Sequence, residues 1–164
     1  MVSAIDNGFD TRLDQLNERI LRACQECGRD RRSVHLIGVS KTKPAAHVIT
    51  AHSAGVTDFG ENYLQEAIDK VGQLAHLDLT WHYIGNIQSN KTKDIASHFD
   101  WVHTVDRAKI GKRLSEQRRS ERPLQTLIQV NIDDDPNKGG CQAQELPELV
   151  EALASLPNLE LRGL

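Results

Sequence analysis

Short apolar runs alternate with longer segments of helical periodicity along most of this chain. The runs lie at positions 34–39, 56–60, 79–84, 101–105, 126–131 and 159–164. The first has about six residues, whereas a buried helix usually needs about ten or more, and the others are equally short. The pattern therefore predicts six β-strands.

Helical spacing fills the segments between these runs. An amphipathic helix over residues 10–26 precedes the first strand, and Gly28 stands where a left-handed C-cap residue would lie. Pro44 begins the next helix, because its φ is already near the helical value and its missing N–H is not needed there. Ser89 and Asp106 are the predicted N-caps of two later helices.

Strands that alternate with helices and are apolar on both faces indicate a parallel sheet covered by helices. Two α/β architectures satisfy this pattern, a doubly wound sheet and a (β/α)8 TIM-type barrel. A doubly wound sheet that binds a nucleotide usually has a Gly-rich turn after its first strand. Residues 40–44, which follow the first predicted strand, contain no glycine. A barrel takes about 250 residues for eight units. This chain would supply an N-terminal helix, five βα units and a sixth strand.

The composition is that of one ordinary globular domain. The chain has 164 residues, of which 38% are hydrophobic and 26% are charged, and we expect a single domain over residues 1–164. Its net charge of -3 creates no basic field, so we expect no nucleic acid and no membrane among its partners. The sequence has neither a signal-peptide core nor a membrane-length apolar segment, which predicts a cytoplasmic protein.

Three cysteines in a chain without export features favour free thiols over disulfides. Cys24 and Cys27 have the spacing of a zinc or redox motif, but no second cysteine pair follows them. A metal or redox role for this pair is therefore the minor hypothesis.

Polar residues gather in the loops that follow the predicted strands. Because the carboxyl ends of parallel strands lie at one edge of a sheet, these loops share one side of the fold. The polar residues are Lys41, Lys43, Glu61, Asn62, Tyr63, Asn86, Gln88, Asn90, Lys91, Thr104, Asp106, Asn131, Asp133 and Lys138. Such polarity is typical of a binding site, although helix caps and surface loops explain about half of it without any function.

Lys41 has the most distinctive chemistry of this set. A lysine amine that is partly removed from water favours its neutral form and can condense with an aldehyde to give a Schiff base. Ile37, Val39 and Lys41 have the same parity, so we expect Lys41 to share a face with core residues and to be desolvated. Lys43 follows the strand and is expected to be solvated. The alternative is that Lys41 is a strand-end lysine whose stem packs while its amine stays in water.

Three motifs extend this hypothesis: VSKTKP at 39–44, FGENYLQE at 59–66 and WHYIGNIQSNK at 81–91. In this order they resemble the signatures of the YggS/PROSC family of pyridoxal phosphate homeostasis proteins, and the segments 99–106 and 161–164 agree with the same family. The resemblance implies a barrel of the alanine-racemase N-terminal type. It also implies that pyridoxal 5'-phosphate (PLP) is bound as a Schiff base on Lys41.

Further site residues and a role follow from the same resemblance. Asn62, Asn86, Asn90 and Lys138 would shape the mouth of the cofactor site, with Lys138 as a second amine for PLP transfer. Members of the family are regarded as carriers or regulators of PLP and of amino-acid and keto-acid balance, without an established catalytic reaction. PLP-dependent apoenzymes are the candidate recipients of the cofactor, and no metal is implied.

Two other functional classes stay open on the sequence. One is a PLP-dependent amino-acid racemase of the same barrel type, which would need a second base on the opposite face of the substrate carbanion. Barrel racemases take that base from an additional β-domain. The other class is an interaction module that holds no cofactor.

The family's Ser/Gly-rich phosphate-binding segments correspond to positions beyond Leu164. We therefore expect a barrel that is incomplete at its C-terminus and lacks the phosphate cradle. Its first and last strands would have unpaired edges, so we expect either a truncated chain or self-association with another copy.

Overall fold

The computed structural model describes residues 8–164. Within this range helices and strands alternate as predicted. They are α1 (Phe9–Glu26), β1 (Ile37–Val39), α2 (Ala45–Ser53), β2 (Asp58–Glu61), α3 (Leu64–Gln73), β3 (Thr80–Tyr83), α4 (Thr92–His98), β4 (Trp101–Val105), α5 (Ala108–Gln117), β5 (Leu124–Ile128), α6 (Leu146–Ala154) and β6 (Leu159–Gly163). No helix in the described range is long and apolar enough to cross a membrane.

The strands form one sheet in the order β1-β2-β3-β4-β5-β6, and every neighbouring pair is parallel. A doubly wound sheet would reverse its strand order at a switch point, so that alternative is wrong. Right-handed crossovers in a sheet that proceeds in one direction place the connecting helices on the same face. The architecture is that of a partial (β/α)8 barrel, which confirms the predicted fold class.

The main core lies between the sheet and these helices. Phe59 and Trp81 pack with ring centroids 5.9 Å apart, and Tyr83 meets Phe99 edge to face at 5.1 Å. All four side chains are buried, so they contribute much of the apolar area that stabilises the fold. Burial also raises the pKa of Tyr83. Packing on this face keeps the sheet rigid and so fixes the positions of the loops at the strand ends.

The opposite face of the sheet is only partly covered. A side chain at Gly60 would meet Ile37, Val39 and Ile84, which places these three residues on the face away from Phe59. Ile37 and Ile84 are half-buried, and Val39 is 53% exposed.

The predicted start of the first strand is wrong. The strand begins at Ile37 rather than at residue 34, because residues 31–33 form a turn of 3-10 helix. The Asp30 carboxylate caps that turn by accepting from the Arg32 N–H at 2.9 Å. Its hydrogen bonds to Arg32 hold the pKa of Asp30 below its ordinary value.

The two predicted helix caps are also wrong. Lys91 and Arg107 occupy the N-cap positions of α4 and α5, and neither Ser89 nor Asp106 caps a helix through its side chain. The Asp106 carboxylate instead accepts from Arg107 at 2.8 Å. The Asp106 oxygen that could have capped the helix is therefore hydrogen-bonded to the neighbouring Arg107 guanidinium.

The fifth strand ends earlier than predicted, at Ile128. Beyond it the chain folds back, so that Val130 forms an isolated parallel bridge with Cys141. The Cys141 N–H donates to the Gln129 carbonyl and the Asn131 N–H donates to the Cys141 carbonyl, both at 2.9 Å. The polar loop over residues 132–140 is therefore closed at its base.

The three cysteines are free thiols. Cys24 and Cys141 are buried, whereas Cys27 is exposed. Burial raises the pKa of the Cys141 thiol, which keeps it protonated and unreactive at neutral pH. Among residues 8–164, no group of three or more His, Cys, Asp or Glu side chains is placed to hold a metal ion.

Candidate functional site

Lys41 lies in a tight turn directly after β1. The Ser40 N–H donates to the Gly60 carbonyl at 3.0 Å and so extends the pairing of β1 with β2 by one residue. The Lys43 N–H then closes the turn on the Ser40 carbonyl at 3.1 Å. Between them Thr42 has a φ of 62°, a left-handed conformation that costs a β-branched residue about 1–3 kcal/mol.

The expected desolvation of Lys41 is wrong. Its side chain is exposed, because the sheet face toward which its parity directs it is open and leaves even Val39 53% exposed. Lys43 is exposed, as predicted. Burial therefore does not distinguish the two lysines.

A buried ion pair lies beneath the Lys41 turn. The Lys70 ammonium, from α3, donates to Glu61 Oε1 at 2.5 Å and to the Ser40 carbonyl at 2.8 Å. The Ser40 hydroxyl donates to the same Glu61 oxygen at 2.6 Å. Lys70 is 3% exposed and Glu61 0%, and Glu61 Oε2 accepts no hydrogen bond from residues 8–164.

Glu66 joins this ion pair to the other side of the turn. Its Oε1 accepts from the Thr42 N–H at 2.7 Å and from Lys70 at 3.1 Å. Sequence reasoning missed both Glu66 and Lys70. Their i, i+4 spacing on a helix was visible, but such pairs usually lie on a solvated surface.

Asn62 lies next to this turn at the end of β2. It is half-buried, and its side-chain Oδ1 is buried without a hydrogen-bond partner in the described part of the chain. A Cβ at Gly85 would lie 2.6 Å from the Asn62 carbonyl oxygen, so only glycine lets β3 end against this backbone. The Ile84 N–H also donates to the Glu61 carbonyl at 2.8 Å.

Asn86 connects this part of the edge with the loop that carries Lys138. Its backbone carbonyl accepts from the Tyr83 hydroxyl at 3.2 Å. A Cβ at Gly139 would lie 3.2 Å from Asn86 Oδ1 and 3.4 Å from Gln129 Oε1. The structure thus brings Lys41, Asn62, Asn86 and the Lys138 loop to one edge of the sheet.

Lys138 is exposed on that loop and pairs with Asp133 at 2.7 Å. Asn131 fixes the loop: its Nδ2 donates to the Asp135 carbonyl at 2.9 Å and its Oδ1 accepts from the Asp135 N–H at 3.2 Å. Asn90 is exposed in the turn before α4. No hydrogen bond within residues 8–164 joins Asn90 to the other predicted residues.

A second polar cluster lies on the open face of the sheet, toward the amino ends of its strands. His82 Nε2 lies 3.0 Å from Asp58 Oδ1, and His82 Nδ1 lies 2.9 Å from His103 Nε2. Because a carboxylate only accepts, Nε2 of His82 carries the proton and His103 donates to Nδ1. Trp101 stacks on His82 with centroids 5.5 Å apart.

Burial makes both imidazoles of this cluster prefer the neutral form. Desolvation lowers the pKa of His82 in spite of the opposing effect of the hydrogen bond that His82 donates to Asp58. Desolvation together with the charge on His82 lowers the pKa of His103 to about 4. Sequence reasoning missed this cluster, since the two histidines were treated only as strand residues.

The family described as alanine racemase, N-terminal domain, matches residues 11–164. The pyridoxal phosphate homeostasis protein of Pseudomonas aeruginosa is 58% identical over 147 residues, which are 89% of this chain and 64% of that protein. Its counterpart in Escherichia coli is 48% identical over 162 residues, which are 96% of this chain and 69% of that protein. The chain belongs to the pyridoxal phosphate homeostasis protein family, within the alanine racemase N-terminal domain class.

Solved structures agree with this assignment. PipY of Synechococcus elongatus, determined with PLP bound, superimposes with a TM-score of 0.75 at 37% identity, over 88% of this chain and 68% of that one. An alanine racemase from E. faecalis superimposes with a TM-score of 0.63 at 18% identity, over 90% of this chain and 40% of that one. The second likeness is one of fold alone.

Proposed function

We propose that this chain binds PLP covalently through Lys41 and acts in PLP homeostasis. The observation that carries the proposal is the position of Lys41, whose amine is exposed at the carboxyl edge of a parallel barrel sheet while its backbone is held on both sides. Ligands of such sheets bind outside the carboxyl ends of the strands. The PLP-bound PipY structure supports the same cofactor.

The residues at this edge fit the chemistry of PLP. When bound, PLP supplies an aldehyde that condenses with a primary amine, forming a C=N bond and releasing one water. Lys41 can present its amine without breaking an ion pair, since none joins it within residues 8–164. The unpartnered Asn62 Oδ1 offers a hydrogen-bond acceptor beside it.

The other predicted residues act around this centre. Asn62 and Asn86 line the mouth next to Lys41, and Asn90 contributes from the exposed turn before α4. Lys138 is a second amine for PLP transfer, because a solvated ion pair such as that with Asp133 contributes little and releases its lysine readily. PLP-dependent apoenzymes are the recipients.

The role is one of carrying and regulating PLP rather than catalysis. The relatives are named for PLP homeostasis, whereas the alanine racemase from E. faecalis shares the fold at only 18% identity. A racemase would cause a solution of L-alanine to lose its optical rotation. If the purified, PLP-loaded chain did so, the result would contradict a purely non-catalytic role and favour the racemase alternative.

Absorbance spectroscopy tests the assignment of Lys41. Adding PLP to the chain should produce the visible band of a lysine adduct, and Lys41→Ala should lack it. Lys43→Ala is the matched control, since Lys43 is an exposed lysine of the same turn, and it should keep the band. Retention of the band in Lys41→Ala would refute the assignment.

A further inference from the structure

We propose that Glu66 and Lys70 are positioning residues for Lys41, which fix the direction of its side chain by clamping the backbone on both sides of it. This inference rests on the proposed function and deepens it. It concerns residues that do not touch the cofactor. Their effect reaches Lys41 through Ser40 and Thr42.

The clamp engages the turn on both sides of Lys41. On the amino-terminal side, Ser40 is held by its carbonyl to Lys70 at 2.8 Å and by its hydroxyl to Glu61 at 2.6 Å. On the carboxyl-terminal side, the Thr42 N–H donates to Glu66 at 2.7 Å. Lys41 itself takes part in none of these bonds, so its backbone is fixed while its amine stays available.

The composition of the clamp argues against a purely structural role. Burying a lysine with a glutamate is no better for stability than an apolar pair of similar size, and often worse. The Lys70 ammonium nevertheless donates three hydrogen bonds, one each to the Ser40 carbonyl, Glu61 and Glu66. Two of these acceptors also bind residues that flank Lys41.

The backbone of Thr42 supplies an independent argument. Its φ of 62° is strained for a residue with a branched Cβ, and such strain persists only where surrounding contacts enforce it. Two contacts hold this conformation, the bond from the Lys43 N–H to the Ser40 carbonyl that closes the turn and the bond from the Thr42 N–H to Glu66. Without the bond to Glu66, we expect the turn to leave the left-handed conformation more often and so to change the direction of the Lys41 side chain.

Glu66→Ala and Glu66→Gln separate this role from general stability. Glu66→Ala removes the acceptor of the Thr42 N–H, whereas Glu66→Gln keeps an oxygen there. The first measurement uses the cofactor-free chain and follows amide hydrogen exchange at Thr42 by NMR. We expect exchange about tenfold faster in Glu66→Ala and within about twofold of the parent in Glu66→Gln.

The second measurement is the rate at which PLP is trapped on Lys41 by borohydride. We expect about a tenfold slower rate in Glu66→Ala and a near-parental rate in Glu66→Gln, while the thermal midpoint falls by only a few degrees in Glu66→Ala and stays near the parental value in Glu66→Gln. For the ion pair, the double variant Lys70→Met with Glu61→Met is used, because removing both charges together avoids an unpaired buried charge. This double variant should fold, and borohydride should trap PLP on its Lys41 more slowly than in the parent chain.

The control is Lys112→Met, which removes a lysine from an exposed i, i+4 pair with Glu116 at 3.9 Å and should change neither measurement. If the parent chain traps PLP on Lys41 and Glu66→Ala traps it equally fast, the positioning role is overturned and the proposed function stands. If the parent chain traps no PLP on Lys41, the proposed function fails and the positioning role falls with it.

Discussion

Lys41 differs from Lys43 by its neighbours rather than by its own chemistry. Both side chains are exposed on one short turn. Lys41 lies between two residues that are hydrogen-bonded to buried or half-buried side chains, Ser40 to Glu61 and Thr42 to Glu66. Lys43 precedes Pro44 at the start of α2. This environment of the backbone is why we propose Lys41, rather than Lys43, as the anchor for the ligand.

We expect the half-buried His103 to make the stability of the protein depend on pH. The pKa of His103 in the folded chain is lowered to about 4, while an unfolded histidine titrates near its ordinary value of 6.5. Between these values the unfolded state binds more protons, so the free energy of unfolding falls as the pH falls from about 6.5 to about 4. We expect a loss of about 1–2 kcal/mol after allowing for partial solvent screening.

Chemical denaturation at several pH values checks this expectation. In His103→Gln the slope of unfolding free energy against pH should flatten across that window. His76→Gln is the control, because His76 is exposed, and it should keep the parental slope. The account is wrong if His103→Gln and the parent have the same slope.

At the scale of elements, the loop edge depends on close approaches between strand ends. The junction of β2 and β3 is one such close approach, with Gly85 against the Asn62 backbone. Ser40 in turn pairs with Gly60 at 3.0 Å. Adjacent strand ends thus set the spacing between Lys41 and Asn62.

Gly85→Ala should damage this junction. Its Cβ would meet the Asn62 carbonyl oxygen at 2.6 Å, and relieving that overlap should destabilise the protein by about 1–3 kcal/mol. It should also weaken PLP binding, since Asn62 must move. Thermal unfolding and PLP titration are the measurements.

Gly72→Ala is the matched control for that substitution. Gly72 lies in α3, and a Cβ there would meet nothing within 4 Å, so alanine should stabilise the helix by about 0.5–1 kcal/mol. PLP binding should not change. If Gly85→Ala and Gly72→Ala changed stability and PLP binding equally, the close contact between Gly85 and the Asn62 backbone would not be the cause of the effects of Gly85→Ala.

At the scale of the whole molecule, we propose that the chain folds as one domain. Apart from Cys24, the buried hydrophobic residues of the described range form one continuous cluster from Val48 to Leu153. Trp81 reports on the helix-covered face of the sheet, and Trp101 reports on the open face, where it stacks on His82. Two fluorophores thus lie on opposite faces of the same sheet.

Single-tryptophan variants test this proposal. Trp81→Phe and Trp101→Phe each leave one reporter, and the remaining fluorescence should follow the loss of far-UV circular dichroism in a single transition in each variant. Separate transitions for fluorescence and circular dichroism within one variant would mean that the two faces unfold independently.

The strand and helix alternation was predictable because apolar runs and helical periodicity are local signals. The unbroken strand order was left open, since it depends on which strands pair in space. Three structural features could not be predicted, because each depends on contacts between distant parts of the chain. The exposure of Lys41 depends on how much of the sheet face is covered. The burial of Lys70 depends on a contact with Ser40, thirty positions earlier. The histidine cluster depends on the register of β2, β3 and β4.

The central claim is that PLP is bound covalently to Lys41. The most direct measurement is the mass of the chain after treatment with PLP and borohydride, followed by peptide mapping. We predict one reduced PLP adduct per chain, located on Lys41, absent from Lys41→Ala and present in Lys43→Ala. An adduct on another lysine in the parent chain, or an undiminished adduct in Lys41→Ala, would contradict the account.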